Sequence, residues 1–181
     1  MAFSKHRRAL HLSGEKDWFR LSRLAPYERW DAFGGEARRL WEKYRVATKP
    51  NGLKRIAVRY INRIELPLPF GDFGEYFLTA PLVSPHLPQG LSNYLMNLTI
   101  PVDEFVVATI TQAILPKEPT PTPSSSANPE TLSMLLDVDV SQSSGLLVAG
   151  DAVWERFEYL RQVKNHVFES CITDKARELF Q

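Results

Sequence analysis

The sequence predicts an α+β fold, a mainly antiparallel sheet with two long amphipathic helices, and three observations support this prediction. Runs in which apolar and polar residues alternate, as in half-buried strands, fill the middle of the chain. Two segments with apolar residues three and four positions apart, as in amphipathic helices, flank those runs. The strand connections are too short for parallel crossovers except across the first helix. A long last helix lying across a curved sheet would form a helix-grip-like arrangement.

The first predicted elements are a hairpin and a helix. Residues 9–12 and 18–22 have strand-like composition and flank a turn-forming segment. Pro26 suits the first position of a helix. Apolar residues then recur on one helical face: Trp30, Phe33, Ala37, Leu40, Trp41 and Tyr44. Because Gly34 and Gly35 lower helix stability by about 1 kcal/mol each, we expect another backbone to pack closely against them.

Residues 53–66 contain the strongest strand pattern in the chain. Apolar residues alternate with polar ones through Tyr60, and the alternation then shifts by one residue to Ile61 and Ile64. Since a one-residue shift moves side chains to the other face of a sheet, this pattern predicts a β-bulge near Ile61 and Asn62.

The remaining strands are predicted in the second half of the chain. Residues 93–100 and 105–113 alternate as a second antiparallel hairpin, and residues 132–140 resume the strand pattern. The segment between them, residues 116–131, is rich in proline and serine and predicts a mobile surface loop. Because strands flank it on both sides, we expect an insertion within one sheet and a single domain over residues 1–181.

Capping residues mark the predicted ends of the later helices. Asp72 and Glu75 have the spacing of a capping box, which predicts a short helix containing Leu78. Asp151 is the expected N-cap of the long last helix, and Thr173 is expected to cap a final turn. The buried stripe of the long helix is expected to contain Val153, Phe157, Leu160, either Val163 or Lys164, and Val167.

Composition favours an intracellular protein. The chain has 181 residues, a net charge of +1 and one cysteine, Cys171, so an internal disulfide cannot form. The basic N-terminus is not followed by an apolar run of signal-peptide length. No stretch approaches the roughly 20 apolar residues of a membrane-spanning helix. We therefore expect a cytoplasmic protein without a membrane partner.

Charge is distributed unevenly along the chain. Residues 1–65 contain 16 Lys and Arg against 7 Asp and Glu, whereas residues 66–150 contain 1 against 8. A basic surface for nucleic acid or another polyanion is one interpretation. The favoured interpretation is that oppositely charged regions neutralise each other in the fold, which disfavours nucleic acid as a partner.

Residue patterns for catalysis are weak. The four histidines are scattered and Cys171 has no cysteine partner, so no metal site and no cofactor are predicted. His166 and Cys171 would lie about 140° apart around a helix and would not face each other. No glycine-rich phosphate loop is present. Asp137 and Asp139 share one strand face and could be paired acids, although a solvated face is the favoured interpretation. No catalytic residue is assigned.

Arg59 and Asn62 are the predicted ligand-binding residues. An arginine on a largely apolar strand needs a partner, and a bulge would redirect both side chains toward an anionic or polar ligand. The alternative, which is favoured, is an internal ion pair from Arg59 to the last helix, with Glu169 or Asp174 as the partner.

Three segments together resemble a known protein family: residues 19–44, residues 58–64 and residues 160–180, including Lys164-Asn165 and Ile172-Thr173-Asp174. The family is prokaryotic, sporadically distributed and of unknown function, so the resemblance implies no activity. Its members usually carry several tens of additional residues before the first hairpin. The resemblance therefore implies that this chain lacks the family's N-terminal segment.

The predicted function is a non-catalytic intracellular interaction module that binds another protein. One alternative is a sheet-and-helix domain that binds a small molecule. Another is a weak polyanion binder that uses the basic N-terminal third. If a segment is missing before the first hairpin, an unprotected strand edge would favour self-association through residues 9–12 and 18–21.

Overall fold

The structure is a computed structural model that describes residues 10–15, 18–24, 29–116, 130–144, 146 and 151–180. The chain forms two compact units, residues 1–53 and residues 54–181. Antiparallel sheets and two long helices confirm the predicted α+β class. The prediction that residues 1–181 form a single domain stays a prediction.

The first unit contains the predicted hairpin and helix. Strand β1 (Leu10–Glu15) pairs antiparallel with β2 (Trp18–Arg23), and helix α1 spans Trp30–Thr48. The ring of Phe19 on β2 lies 5.6 Å from that of Trp41 and 5.4 Å from that of Tyr44. Aromatic side chains thus join the hairpin to the helix. The expected helix start at Pro26 lies outside the described residues.

The described residues do not show the expected close packing at the two helical glycines. A Cβ atom at Gly34 would lie 3.8 Å from the Trp30 ring, which is an ordinary contact, and none of the described atoms lies within 4 Å of a Cβ at Gly35. Within the described part of the chain, both positions therefore have room for a side chain. The helix ends at Lys49, which adopts a left-handed conformation (φ 49°) and donates its amide to the Arg45 carbonyl.

The second unit is built on a four-stranded sheet. Its strands are β3 (Ile56–Pro67), β4 (Leu95–Pro101), β5 (Val106–Ile114) and β6 (Thr131–Gln142). They lie in the order β3-β6-β5-β4, and every neighbouring pair is antiparallel. The second hairpin is confirmed, and the pairing of β5 with β6 confirms that the proline-rich segment interrupts one sheet. Residues 117–129 of that segment lie outside the described residues.

The predicted β-bulge in β3 is absent from the structure. Pairing with β6 is continuous from Ile56 opposite Gln142 to Pro67 opposite Thr131. Tyr60 and Asn62 therefore stay on the same face as Ile56, and Ile61 lies on the opposite face, where it is 61% exposed. The apparent shift in the sequence arose because an apolar residue occupies an outward position.

Helix α2 (Ala152–Cys171) covers one face of this sheet, contacting β3, β5 and β6. Even-numbered residues of these strands face it and form the core with residues of the helix. Fully buried examples are Ile64, Leu66, Val106, Met134, Leu136, Val138, Val140 and Leu160. The sequence pattern does not decide whether Val163 or Lys164 belongs to the buried stripe of this helix. In the structure Lys164 is the buried one. Asp151 precedes the helix as expected, but its side chain makes no capping hydrogen bond.

The C-terminal residues fasten a distant segment to the core. The Asp72–Glu75 capping box is confirmed, although it opens a single 3-10 turn (Phe73–Glu75) that ends before Leu78. Leu78 donates its amide to the Cys171 carbonyl at 2.9 Å, and Thr173 donates its amide to the Tyr76 carbonyl at 3.0 Å. As predicted, Thr173 also caps helix α3 (Asp174–Arg177). We call these contacts the C-terminal clasp.

No helix among the described residues has both the length and the apolar character needed to cross a membrane.

Candidate functional site

The face of the sheet opposite α2 carries a polar depression of about 290 Å³. Because side chains alternate along strands, odd-numbered residues of β3, β5 and β6 project from this face. Within the second unit, none of the described helices covers it. We call it the open face. The depression is lined by Arg55, Arg59, Thr109, Thr111, Asp137 and Asp139.

The centre of the open face is a bidentate ion pair between Arg59 and Asp137. Arg59 Nε lies 2.9 Å from Asp137 Oδ1, and Arg59 Nη2 also donates to Oδ2 of the same carboxylate. The strand register places Arg59 directly opposite Asp139, so this pair is diagonal across the β3–β6 ladder. The hydrogen bonds to Asp137 raise the pKa of Arg59, with desolvation acting in the opposite direction.

A second arginine, Arg55, immediately precedes β3 and pairs with the other aspartate through a single hydrogen bond. Arg55 Nη2 donates to Asp139 Oδ1 at 2.7 Å. The side chains of Arg55 and Arg59 are 52% and 45% exposed, whereas those of Asp139 and Asp137 are 22% and 8% exposed. The carboxylates therefore lie beneath the guanidinium groups. A molecule that approaches the depression meets positive charge first.

Hydroxyl groups form the other wall of the depression. The register of β5 places Thr111 opposite Asp137 and Thr109 opposite Asp139. Thr111 accepts a hydrogen bond from Asn97 Nδ2 on β4, at 2.8 Å. Polar side chains thus extend from the arginines of β3 to the opposite edge of the sheet.

Exposed apolar residues and a second charged group lie on the open face outside the lining of the depression. Ile61 on β3 and Leu95 on β4 are both exposed on this face. Glu65 accepts hydrogen bonds from Arg63 Nε at 2.7 Å and from the Ser133 hydroxyl at 2.8 Å. Burial alone would raise the pKa of Glu65. The hydrogen bonds from Arg63, Ser133 and Thr131 together outweigh this effect, so the pKa is lowered.

The structure does not bring the two predicted site residues together. Arg59 projects from the open face, whereas Asn62 lies on the α2 side, where its Nδ2 donates to the Leu136 carbonyl at 3.0 Å. The expected ion pair from Arg59 to the last helix is replaced by one to Asp137 on β6. Glu169 and Asp174 both pair with Arg177 instead. Ligand binding by Arg59 and Asn62 stays a prediction.

Sequence reasoning missed the two threonines and the buried state of Asp137. The two aspartates do share a strand face, as expected, but Asp137 is buried beneath Arg59, so this face is not simply solvated. The available signal was charge alternation, because arginines on β3 and aspartates on β6 both recur on one face. Recognising it required knowing that β3 and β6 are neighbours.

Cys171 and His166 are separated as predicted. Cys171 is buried, and burial raises the pKa of its thiol, whereas His166 lies on an exposed position of α2. Across the described ranges, no three His, Cys, Asp or Glu side chains are grouped so as to hold a metal ion.

Polar atoms are also buried on the side of the sheet that faces α2. Lys164 is only 6% exposed, and its Nζ lies 3.4 Å from the centroid of the Tyr60 ring. Burial, with a contribution from Arg161 and opposed by Glu169, lowers the pKa of Lys164 to about 8. Gln112 Oε1 and the Tyr94 hydroxyl are buried and have no hydrogen-bond partner among the described residues.

No protein-family model, curated protein or solved protein structure matches this chain. The resemblance to a prokaryotic family of unknown function therefore stays a prediction, and the function has to be argued from the site itself.

Proposed function

We propose that this chain is a protein-binding module whose partner docks on the open face of the sheet. The observation that carries the proposal is the layering of the depression, with exposed Arg55 and Arg59 held in place by the more buried Asp139 and Asp137. Side chains that are already ordered lose little entropy when a partner binds, so they favour association.

The surroundings of the depression also support a protein partner. Exposed Ile61 supplies apolar contact area between Arg59 and Arg63, and exposed Leu95 supplies more on the opposite edge strand, β4. Interfaces between proteins combine such apolar anchors with polar groups, and arginine is enriched among the residues that contribute most to affinity. Within the described part of the chain, Nη1 of both Arg55 and Arg59 donates no hydrogen bond, so each retains a donor for a partner.

The test compares two exposed apolar residues of the same unit. Ile61→Ala truncates an exposed side chain that lies opposite Asp137 on the open face, and Leu82→Ala truncates a 99% exposed loop residue that does not line the depression. Both chains and the natural chain would be used to capture partners from a lysate of the source cells, followed by titration calorimetry with the purified partner. We expect Ile61→Ala to weaken binding by about tenfold or more and Leu82→Ala to leave it unchanged.

Equal affinity of the Ile61→Ala and Leu82→Ala chains would contradict the proposal. Thermal unfolding of both variants is the control, because a loss of binding counts only when the variant is folded.

A second candidate function is small-molecule binding on the side of the sheet that faces α2. The unpartnered buried Gln112 Oε1 and Tyr94 hydroxyl favour it, because a buried polar atom without a partner indicates a site for water or a ligand. Native mass spectrometry of the protein purified from its source cells tests this candidate. A bound mass that is present in the natural chain and absent from Gln112→Leu is the expected result, and an unliganded natural chain would contradict it.

A further inference from the structure

Strand β3 combines an open edge with a row of arginines. It is twelve residues long and pairs only with β6 among the described strands. Its register is continuous over its whole length, so it lacks the bulge that commonly protects an edge. Backbone N–H and C=O groups at such an edge can pair with another extended chain.

The arginines of this strand lie on one face at regular spacing. Arg55 immediately precedes β3, and Arg59 and Arg63 follow at intervals of four residues, or about 13 Å along an extended chain. Arg63 is about half exposed, like the other two. Side chains directly opposite one another on paired strands interact, and opposite charges there are stabilising. A strand added beside β3 would therefore be favoured if it carried acidic side chains on this face.

We propose that the partner adds an acidic extended segment as a fifth strand at the β3 edge, with its carboxylates on the arginine side and apolar residues on the α2 side. The inference rests on the proposed function and specifies the chemistry of the partner. It has a precedent within the molecule, because β6 already pairs with the other edge of β3 and presents Asp137 and Asp139 to the same arginines.

The apolar residues that we propose for the α2 side of the added strand follow from the opposite face of β3. Ile56, Val58, Ile64 and Leu66 face α2 and are buried, so the inward side of an added strand would border the core. A second copy of β3 is a poorer occupant in the antiparallel register centred on Ile61. In that register Arg59 would lie opposite Arg63 of the other copy, and like charges there are destabilising.

The probe is a fluorescein-labelled nine-residue peptide in which Asp and Val alternate, so that all carboxylates lie on one face. Three peptides serve as controls: one of the same composition with the acids on both faces, one with Lys in place of Asp, and one with the β3-facing amides N-methylated. Fluorescence anisotropy with the full chain measures affinity at two salt concentrations. We expect the alternating acidic peptide to bind at least about tenfold more tightly than each control.

Variants of the chain then test the contact residues. Arg63→Glu should weaken binding of the acidic peptide by about tenfold and strengthen binding of the lysine peptide. Arg45→Glu is the matched control, because Arg45 is also an exposed, ion-paired arginine but lies on α1. Circular dichroism verifies that each variant is folded.

Three results would overturn the inference. They are equal binding of the N-methylated peptide, equal binding of the peptide with acids on both faces, and competition by a single-stranded oligonucleotide as effective as that by the acidic peptide. If none of the peptides binds but Ile61→Ala still weakens the cellular partner, the inference fails and the proposed function stands.

Discussion

The two faces of the four-stranded sheet differ in chemistry, because one is covered by α2 and mostly apolar and the other is open and charged. Under α2, the buried side chains are mostly apolar. The buried polar residues there include Gln112, Gln142 and Lys164, the last of which lies against the Tyr60 ring. On the open face, charge is retained and neutralised locally. Asp137 and Asp139 accept hydrogen bonds from Arg59 and Arg55, and Glu65 accepts one from Arg63 of its own strand. The first face therefore contributes most of the stability of the unit, and the second can vary its chemistry at small cost.

The largest expected effect is on the covered face. Leu136 is fully buried on β6, so Leu136→Ala should lower the free energy of unfolding by about 2–5 kcal/mol through lost apolar contact and a residual cavity. Ile61→Ala is the matched change on the open face and should cost less than about 1 kcal/mol. Urea denaturation measures both. Similar losses in the two variants would show that the open face is covered and that the comparison is wrong.

Lys164, a buried charged residue of α2, provides a second test of the covered face. Its folded-state pKa of about 8 is below the unfolded value of about 10.4, so between these values the unfolded chain binds more protons. Stability should therefore rise as the pH increases from 7.5 to 9.5, and below pH 8 the full cost of the buried charge is present. Lys164→Met should stabilise the protein by about 2 kcal/mol at pH 7 and remove this rise.

The charges near Lys164 define the controls for that measurement. Arg161 and Glu169 on α2 affect its titration, and Tyr60 on β3 contacts it. Lys54→Met changes an exposed lysine of the same unit and should leave the pH dependence unchanged. A natural chain that loses stability between pH 7.5 and 9.5 would contradict the assignment.

The smallest expected effect is on the open face. Asp137→Asn keeps the shape of the side chain but removes the charge that Arg59 binds, and we expect a loss of about 1 kcal/mol because Arg59 is nearly half exposed. A double-mutant cycle with Arg59→Gln should give a coupling energy of about 0.5–1.5 kcal/mol. Additive losses from the two substitutions would mean that the pair contributes nothing and does not organise the depression.

Periodicity made most of the fold predictable. The two hairpins and both long helices follow from patterns that repeat over many residues, and local capping chemistry identified Asp72 and Thr173 correctly. Two local expectations were wrong. The apolar Ile61 was interpreted as a one-residue shift of the strand, whereas it is an exposed residue in a continuous register. Gly34 and Gly35 were interpreted as signs of close backbone packing, which the described atoms do not show.

The site was less predictable because it depends on contacts distant in sequence. Arg59 was selected correctly as a residue that needs a partner, but Asp137 is 78 positions away, and its choice over Glu169 depends on strand order. Asn62 was assigned to the same site because the inferred bulge would have moved it to the face of Arg59. With the continuous register, an odd and an even position of one strand must face opposite ways.

The C-terminal clasp sets the order in which the second unit can be completed during synthesis. Its hydrogen bonds join Tyr76 and Leu78 to Thr173 and Cys171, across more than ninety positions of the chain. Contacts of such long sequence separation form slowly, because a large loop must close before they contribute. A ribosome must therefore translate the whole sheet and α2 before residues 70–78 can dock. Until then the nascent chain exposes the apolar α2-facing side of its strands, and this interval is when chaperone binding or aggregation would compete with folding.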